Sequence, residues 1–328
     1  MKIIKFDIPG RICLFGDKVD LLGLPVIGAT INNFMHFEME TREDSKIYFH
    51  SREYHDEDEL FSIDDKKKLF DYTRHLKYWH AALKVLEPSI DDGKIKGFSA
   101  RVSTEVPIGS GLSTSAALTV GFLKGVNDLF NLGLSTLEIA EKAYQAEHDV
   151  LGIMCGRLDQ YTISVGGVVF IETGDKPSIK KLDIGALPLV VGDSCEPREA
   201  KKVLNKVKKE LKDGNDVYLK AFDAIHEVVL DGRKALEKGP DLQRVGELMT
   251  KQQEQENAIE AATEKINTLC KISIENGAYG AKQMGAGGGG CMVACCPDFE
   301  TQQRVAKAIN EAGGKAELFQ IFEYKKKE

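Results

Sequence analysis

Residues Pro107 to Phe130 read PIGSGLSTSAALTVGFLKGVNDLF, a polar glycine loop that passes directly into an apolar pattern. From Thr114 onward, Ala116, Val120, Leu123, Val126 and Phe130 mark one face of a helix. One serine would suffice to cap such a helix. The loop instead carries Gly109 and Gly111 together with Ser110, Ser113, Thr114 and Ser115. Glycine lets backbone amides approach a ligand closely, and a helix starting near Ser113–Ser115 adds its unpaired amides and positive dipole end. The combination suits an anion, with phosphate the natural guest. No Lys-Ser/Thr follows the glycines, so this is not a Walker A sequence, and Thr114 stands where a dinucleotide fingerprint needs its third glycine.

Two other loops share this character. QMGAGGGGCMV places Gly285, Gly287, Gly288, Gly289 and Gly290 just before an apolar strand. So many glycines cost conformational entropy, which close backbone approach to a ligand accounts for better than a plain turn. IPGRICLFGDKVDLLG, from Ile8 to Gly23, sets Arg11, Asp17, Lys18 and Asp20 around a strand and a glycine turn. Charges that dense beside a core strand suit a polar substrate or an exposed turn.

Outward from these loops, strand patterns fall at Ile12–Phe15, Val26–Glu40, Phe98–Val102, Val165–Ile171, Leu187–Val191, Cys291–Cys295 and Leu318–Phe322. Helical patterns follow Ser135, where Ser135 and Glu138 have capping-box spacing, and end near Gly152. Further helices are expected over Glu199–Leu211, Val217–Lys238 and Leu242–Glu275, the last stopping at Asn276-Gly277. Strand-rich sequence gives way to helix-rich sequence near Gly174–Lys181, which predicts two α+β domains, 1–180 and 181–328. The charged stretch Asp56–Lys68 reads as a solvated surface segment, and Lys325-Lys326-Lys327 as a solubilising tail.

Composition bounds the rest. The 328 residues, 42% hydrophobic and 29% charged, are ordinary globular values, and a net charge of −7 gives no general reason to bind nucleic acid or acidic lipid. Without an apolar leader or a membrane-length apolar run, a cytoplasmic protein is expected. The seven cysteines form no CxxC pair. Cys13, Cys291, Cys295 and Cys296 fit small apolar filling better than a zinc site, since no histidine lies near the last three.

In this order and at these separations the three loops resemble the GHMP kinases, over nearly the whole chain. PIGSGLSTSAA is similar to the family's Pro-x-Gly-x-Gly-Leu-x-Ser-Ser-Ala ATP loop, with Thr114 for one serine, and GAYGAKQMGAGGGG to its C-terminal glycine motif, with Met284 where Ser or Thr is usual. Within the family the nearest resemblance is to galactokinase. PGRICLFGDKVDLLGLPVI resembles its first signature, and AEHDVLGIMCGRLDQ, Ala146 to Gln160, its Cys-Gly-x-x-Asp-Gln segment.

The resemblance implies a ribosomal-S5-like N-terminal domain, a ferredoxin-like C-terminal domain and ATP-dependent phosphorylation of a small sugar at its anomeric hydroxyl. It implies ATP held by Pro107, Gly109, Ser110, Gly111, Leu112, Ser113, Thr114, Ser115, Gly287 and Gly288, and Mg²⁺ held by Ser115 and Glu147. Asp159 corresponds to the catalytic base and Arg11 to the arginine beside it, while Arg11, Asp17, Lys18, Asp20, Cys155, Gly156 and Asp159 correspond to the substrate contacts. Lys18 replaces a histidine there and Leu21 a tyrosine, so the acceptor stays open: galactose, a uronic acid, or mevalonate or another small alcohol. A sugar- and ATP-sensing regulator is the non-enzyme alternative. Tyr78 and Trp79 fall where relatives shape the adenine pocket, or pack in the core.

Overall fold

In the computed structural model, residues 1–53, 58–105, 111–237 and 239–324 are described. Strand β1 (Ile3–Phe15) leads through a 3-10 turn at Val19–Leu22 into β2 (Val26–Thr41), β3 (Lys46–Ser51) and β4 (Glu59–Ser62). Short helices α1 (Lys66–Leu69), α2 (Lys77–Val85) and α3 (Glu87–Asp91) precede β5 (Phe98–Thr104). Then come α4 (Thr114–Phe130), α5 (Thr136–Gln145), a π turn at Ala146–Val150 and α6 (Leu158–Val165). Strands β6 (Val168–Glu172), β7 (Ser178–Leu182) and β8 (Leu189–Asp193) lead to α7 (Ala200–Lys212), α8 (Asp216–Leu236), α9 (Leu242–Ala258) and α10 (Glu264–Glu275). The chain closes with β9 (Gly280–Gln283), β10 (Cys291–Cys295), α11 (Phe299–Glu311) and β11 (Lys315–Phe319). Among the described residues no helix is long and apolar enough to cross a membrane.

The chain divides into two compact units. The first comprises Met1–Gly10, Asn33–Pro107 and Ser113–Val165. Its sheet pairs the second half of β2 antiparallel with β5, β5 parallel with β3, and β3 antiparallel with β4. From Asn33 to Met39 buried and half-buried positions of β2 alternate, which turns Met35, Phe37 and Met39 to one face. They join Phe49, Trp79, Phe98 and Phe122 in the core. Helix α4 seats closely because Gly121 and Gly125 lack side chains; a Cβ there would lie 2.3 Å from the Phe37 ring and 2.1 Å from Met39 Sδ. That seating fixes where its N-terminus stands. Trp79, ring-stacked with Phe122 at 5.1 Å and wholly buried, is a core residue.

The second unit comprises Arg11–Asn32, Ile108–Leu112 and Gly166–Glu328. The first half of β2 pairs with β6 and β6 with β7, both antiparallel, and Phe322 donates its amide to the Thr30 carbonyl at 3.0 Å. These bonds group residues 166–180 with this unit, where composition alone put a boundary near 180. An antiparallel sheet of order β11-β8-β10-β9 packs its apolar face, with Val190 and Met292, against Ile266 and Leu269 of α10 and Val305 and Ile309 of α11. Both units are α+β.

Several local expectations change: β1 begins at Ile3 rather than Ile12, and Val165, expected to open a strand, ends α6. The helix expected over Leu242–Glu275 is two, because Glu260 turns left-handed at φ 54° and Thr263 caps a new helix by accepting from the Ile266 amide at 3.2 Å. The last strand begins earlier, at Lys315, where Ala316 pairs with Gly192. Within the charged stretch Asp56–Lys68, Asp56 and Glu57 lie outside the described residues, while Glu59, Phe61 and Ile63 are buried. The Ser135 capping box forms as the sequence predicts.

Candidate active site

In the first unit the site grows from the start of α4. Ser113 precedes the helix in a left-handed conformation, φ 63°, and gives it no side-chain cap. Its hydroxyl instead donates to Asp159 Oδ2, in the first turn of α6. A non-glycine residue held left-handed costs of order 1–3 kcal/mol and persists where surroundings over-determine it, often at functional sites. A carboxylate therefore stands one hydroxyl away from the start of α4. Thr114 and Ser115 form the first turn. Pro107, Gly109 and Ser110 lie outside the described residues.

Glu147 lies on the π turn after α5, only 3% exposed, and its Oε1 accepts from Gln160 Nε2 at 2.9 Å. A π turn inserts one residue into a helix and is frequent at functional sites. Cys155 and Gly156, half-buried, begin the segment leading to Asp159. Arg157 anchors that segment: it grips Glu141 through Nε at 2.9 Å and Nη2 at 3.0 Å and lies over the Tyr144 ring at 4.2 Å. Burial would raise the Glu141 carboxyl, but Arg157 and the Tyr161 hydroxyl outweigh it and hold the group below its ordinary range.

In the second unit Arg11 donates from Nη1 to the Gly111 carbonyl at 2.9 Å and from its amide to the Leu112 carbonyl at 3.3 Å, fixing the end of the first glycine loop. Arg198, exposed, follows β8. Its guanidinium lies against three glycines: Cβ atoms on Gly111, Gly285 and Gly290 would come within 3.4, 3.4 and 3.0 Å of it. Each has a positive φ. The conformation favours glycine at all three, whereas space is tight only at Gly290; at Gly111 and Gly285 a Cβ would make ordinary contact with the guanidinium.

Asp17 and Lys18 turn inward. The Asp17 carboxylate accepts from Lys282 Nζ, from Gln252 Nε2 at 2.8 Å and from the Gly285 amide. Lys18 Nζ meets Glu256 Oε2 at 2.6 Å and the Gly285 carbonyl at 3.1 Å. All four charged side chains are at most 1% exposed. Burial would raise the Asp17 carboxyl, but Lys282 and Lys18 hold it below its ordinary value. Burial raises Glu256, only partly offset by Lys18. This neutral quartet ties the Gly16–Lys18 turn to the second glycine loop; Asp20 beside it is half-buried. Gly287 and Gly288 serve the fold: a Cβ on Gly287 would lie 2.3 Å from the Ala261 carbonyl, and the Gly288 amide donates to that carbonyl at 2.8 Å. The close approach deduced for this loop is made to protein backbone at both positions.

Sequence reasoning missed Arg198, Lys282, Glu256 and Gln252. Their signal is faint: a basic residue in a Pro-containing loop after a strand, a lysine within an apolar stretch, and polar residues on the buried face of α9. Burial also pushes the Cys291, Cys295 and Cys296 thiols up to about 12, which suits apolar filling.

Residues 77–167 match the family described as GHMP kinases N terminal domain, and residues 233–315 match GHMP kinases C terminal. The chain is 30% identical to a mevalonate kinase of Pyrococcus furiosus, over 98% of this chain and 96% of that protein. It is 28% identical to a galactokinase of the same organism, over 94% and 93%. The crystal structure of Methanococcus jannaschii mevalonate kinase superposes with a TM-score of 0.82 at 23% identity, covering 98% of this chain and 99% of that one.

Proposed function

This chain belongs to the GHMP kinase family, and we propose that it moves the γ-phosphoryl group of ATP to a hydroxyl of a small acceptor, mevalonate before a sugar. The observation that carries the reaction type is the Ser113–Asp159 bond at the uncapped start of α4. Phosphoryl transfer asks a protein mainly to position groups and to balance charge. In the first unit the first turn of α4 receives phosphate oxygens; in the second, Arg11 holds the end of the glycine loop in shape. Asp159 takes the proton of the attacking hydroxyl as the new P–O bond forms. Mg²⁺, when bound, would offset charge on the phosphates, and the Ser115 hydroxyl and Glu147 carboxylate would hold it; few protein ligands suffice for this ion.

The acceptor is argued from two observations. Similarity to the Pyrococcus furiosus mevalonate kinase runs over almost the full length of both chains. Asp17 and Lys18, which the galactokinase resemblance gave to the sugar, are spent in a sealed ion network. The proposed acceptor contacts that stand are Cys155, Gly156 and Asp159 in the first unit and, taken separately, Arg11 and Asp20 in the second. The Cys155-to-Gln160 segment keeps a sugar kinase as the second reading. ADP release with Mg-ATP over (R)-mevalonate, galactose and galacturonate separates them: mevalonate-dependent turnover is expected, and turnover selective for either sugar overturns the acceptor assignment.

A further inference from the structure

Gln160 follows the proposed base directly in the first turn of α6, and its side chain is buried, the residue being 1% exposed. Its Nε2 donates to Glu147 Oε1 at 2.9 Å. Its own carbonyl oxygen, Oε1, is buried and accepts no hydrogen bond from the described residues. Turning the amide over would set that oxygen against the Glu147 carboxylate, so the orientation is chemically fixed. A buried acceptor without a donor is costly, and in native proteins it points to an ion, a water or a functional role.

We propose that Gln160 is a positioning residue of the cation site: its N–H holds the Glu147 carboxylate in its ligating orientation, and its Oε1 accepts from water carried by the cation. Magnesium keeps several waters when bound to protein, and those waters are the donors that the buried oxygen lacks. Partners behind a ligand typically govern metal affinity 10- to 100-fold. Asp159 and Gln160 are consecutive, and they bond to Ser113 and Glu147 respectively. One turn of α6 therefore sets the proposed base and the proposed metal carboxylate together. This inference rests on Glu147 being the metal carboxylate.

The test titrates Mn²⁺ into the full chain with ADP, following bound metal by electron paramagnetic resonance, in the natural protein, Gln160→Leu and Glu147→Gln. Gln160→Leu is expected to weaken Mn²⁺ binding about 10- to 100-fold. A purely structural glutamine would spare the metal, whatever happens to the melting temperature, so metal affinity is the deciding readout. Natural Mn²⁺ affinity in Gln160→Leu, with binding lost in Glu147→Gln, overturns the role of Gln160. Natural affinity in both variants overturns the metal assignment itself. If leucine destabilises the fold, Gln160→Met, closer in length, is read by the same two outcomes.

Discussion

Lys18 holds a left-handed backbone, φ 73°, and its ammonium is enclosed by Glu256 and the Gly285 carbonyl. Removing one member of a buried pair strands the other charge, which typically costs 3–5 kcal/mol, whereas replacing both with apolar groups is often neutral. Lys18→Met is therefore expected to lose about 3–5 kcal/mol in urea unfolding and Lys18→Met/Glu256→Met to recover most of it. Acceptor preference should not follow Lys18; a switch of preference in the stable double variant would return Lys18 to the substrate. Asp17 carries the pH dependence. Its carboxyl is depressed below the ordinary 3.8, so the stability it contributes is present above that value and lost as pH falls through the folded value. Glu256, raised by burial above 4.5, acts in the opposite sense and at higher pH. Asp17 thus contributes to the acid loss below about pH 4, and Asp17→Asn should remove its share of that limb of a melting-temperature profile. Asp159→Asn keeps the shape and removes the proton acceptor: kcat is expected to fall about 10²- to 10⁴-fold with nucleotide affinity within a few-fold. Near-normal turnover would reject the base.

Elements differ in how visibly the sequence announces them. Helix α4 was legible because its apolar residues repeat at helical spacing and pack in the core; the second half of β2 was legible because it alternates. Strand β9 was not. Its sequence GAKQ holds no β-former, yet every residue is buried, because Asp17, 265 positions away, neutralises Lys282. The break between α9 and α10 was hidden for the same reason: part of what fixes it is the bond from the Gly288 amide to the Ala261 carbonyl, remote in sequence. Likewise the glycine loops were legible as loops, whereas the arginine between them was not, since no local pattern announces Arg198. Geometry also grades the glycines. At Gly287 both the conformation, φ 90°, and the space forbid a side chain; at Gly93, φ 69°, nothing lies within 4 Å. Gly93→Ala should cost roughly the left-handed penalty of 1–2 kcal/mol. Gly287→Ala should cost measurably more, with the connection between α9 and α10 losing amide protection. Equal losses for the two would show that the Ala261 carbonyl yields freely.

At the scale of the whole molecule, a net charge of −7 over 328 residues gives no general pull on a triphosphate. Nucleotide binding must come from placement, and the two glycine-rich loops are placed differently. In the second, the Gly285 amide is committed to Asp17, the Gly288 amide to Ala261 and the neighbouring Met284 amide to Cys291. In the first, α4 begins without a side-chain cap from Ser113. Donors already spent on protein cannot also serve phosphate without breaking buried bonds. The nucleotide is therefore not expected to use the Met284, Gly285 and Gly288 amides, and the first turn of α4 is its proposed phosphate site. Hydrogen exchange across the full chain with a non-hydrolysable ATP analogue and Mg²⁺ tests this division. At 100 times Kd, amides that exchange only through global unfolding slow by about 100-fold wherever they lie, as any ligand of the native state requires. The informative quantity is protection in excess of that common factor. Thr114–Ala116 should show it and residues 285–290 should not; excess protection at 285–290 with none at Thr114–Ala116 would exchange the two roles.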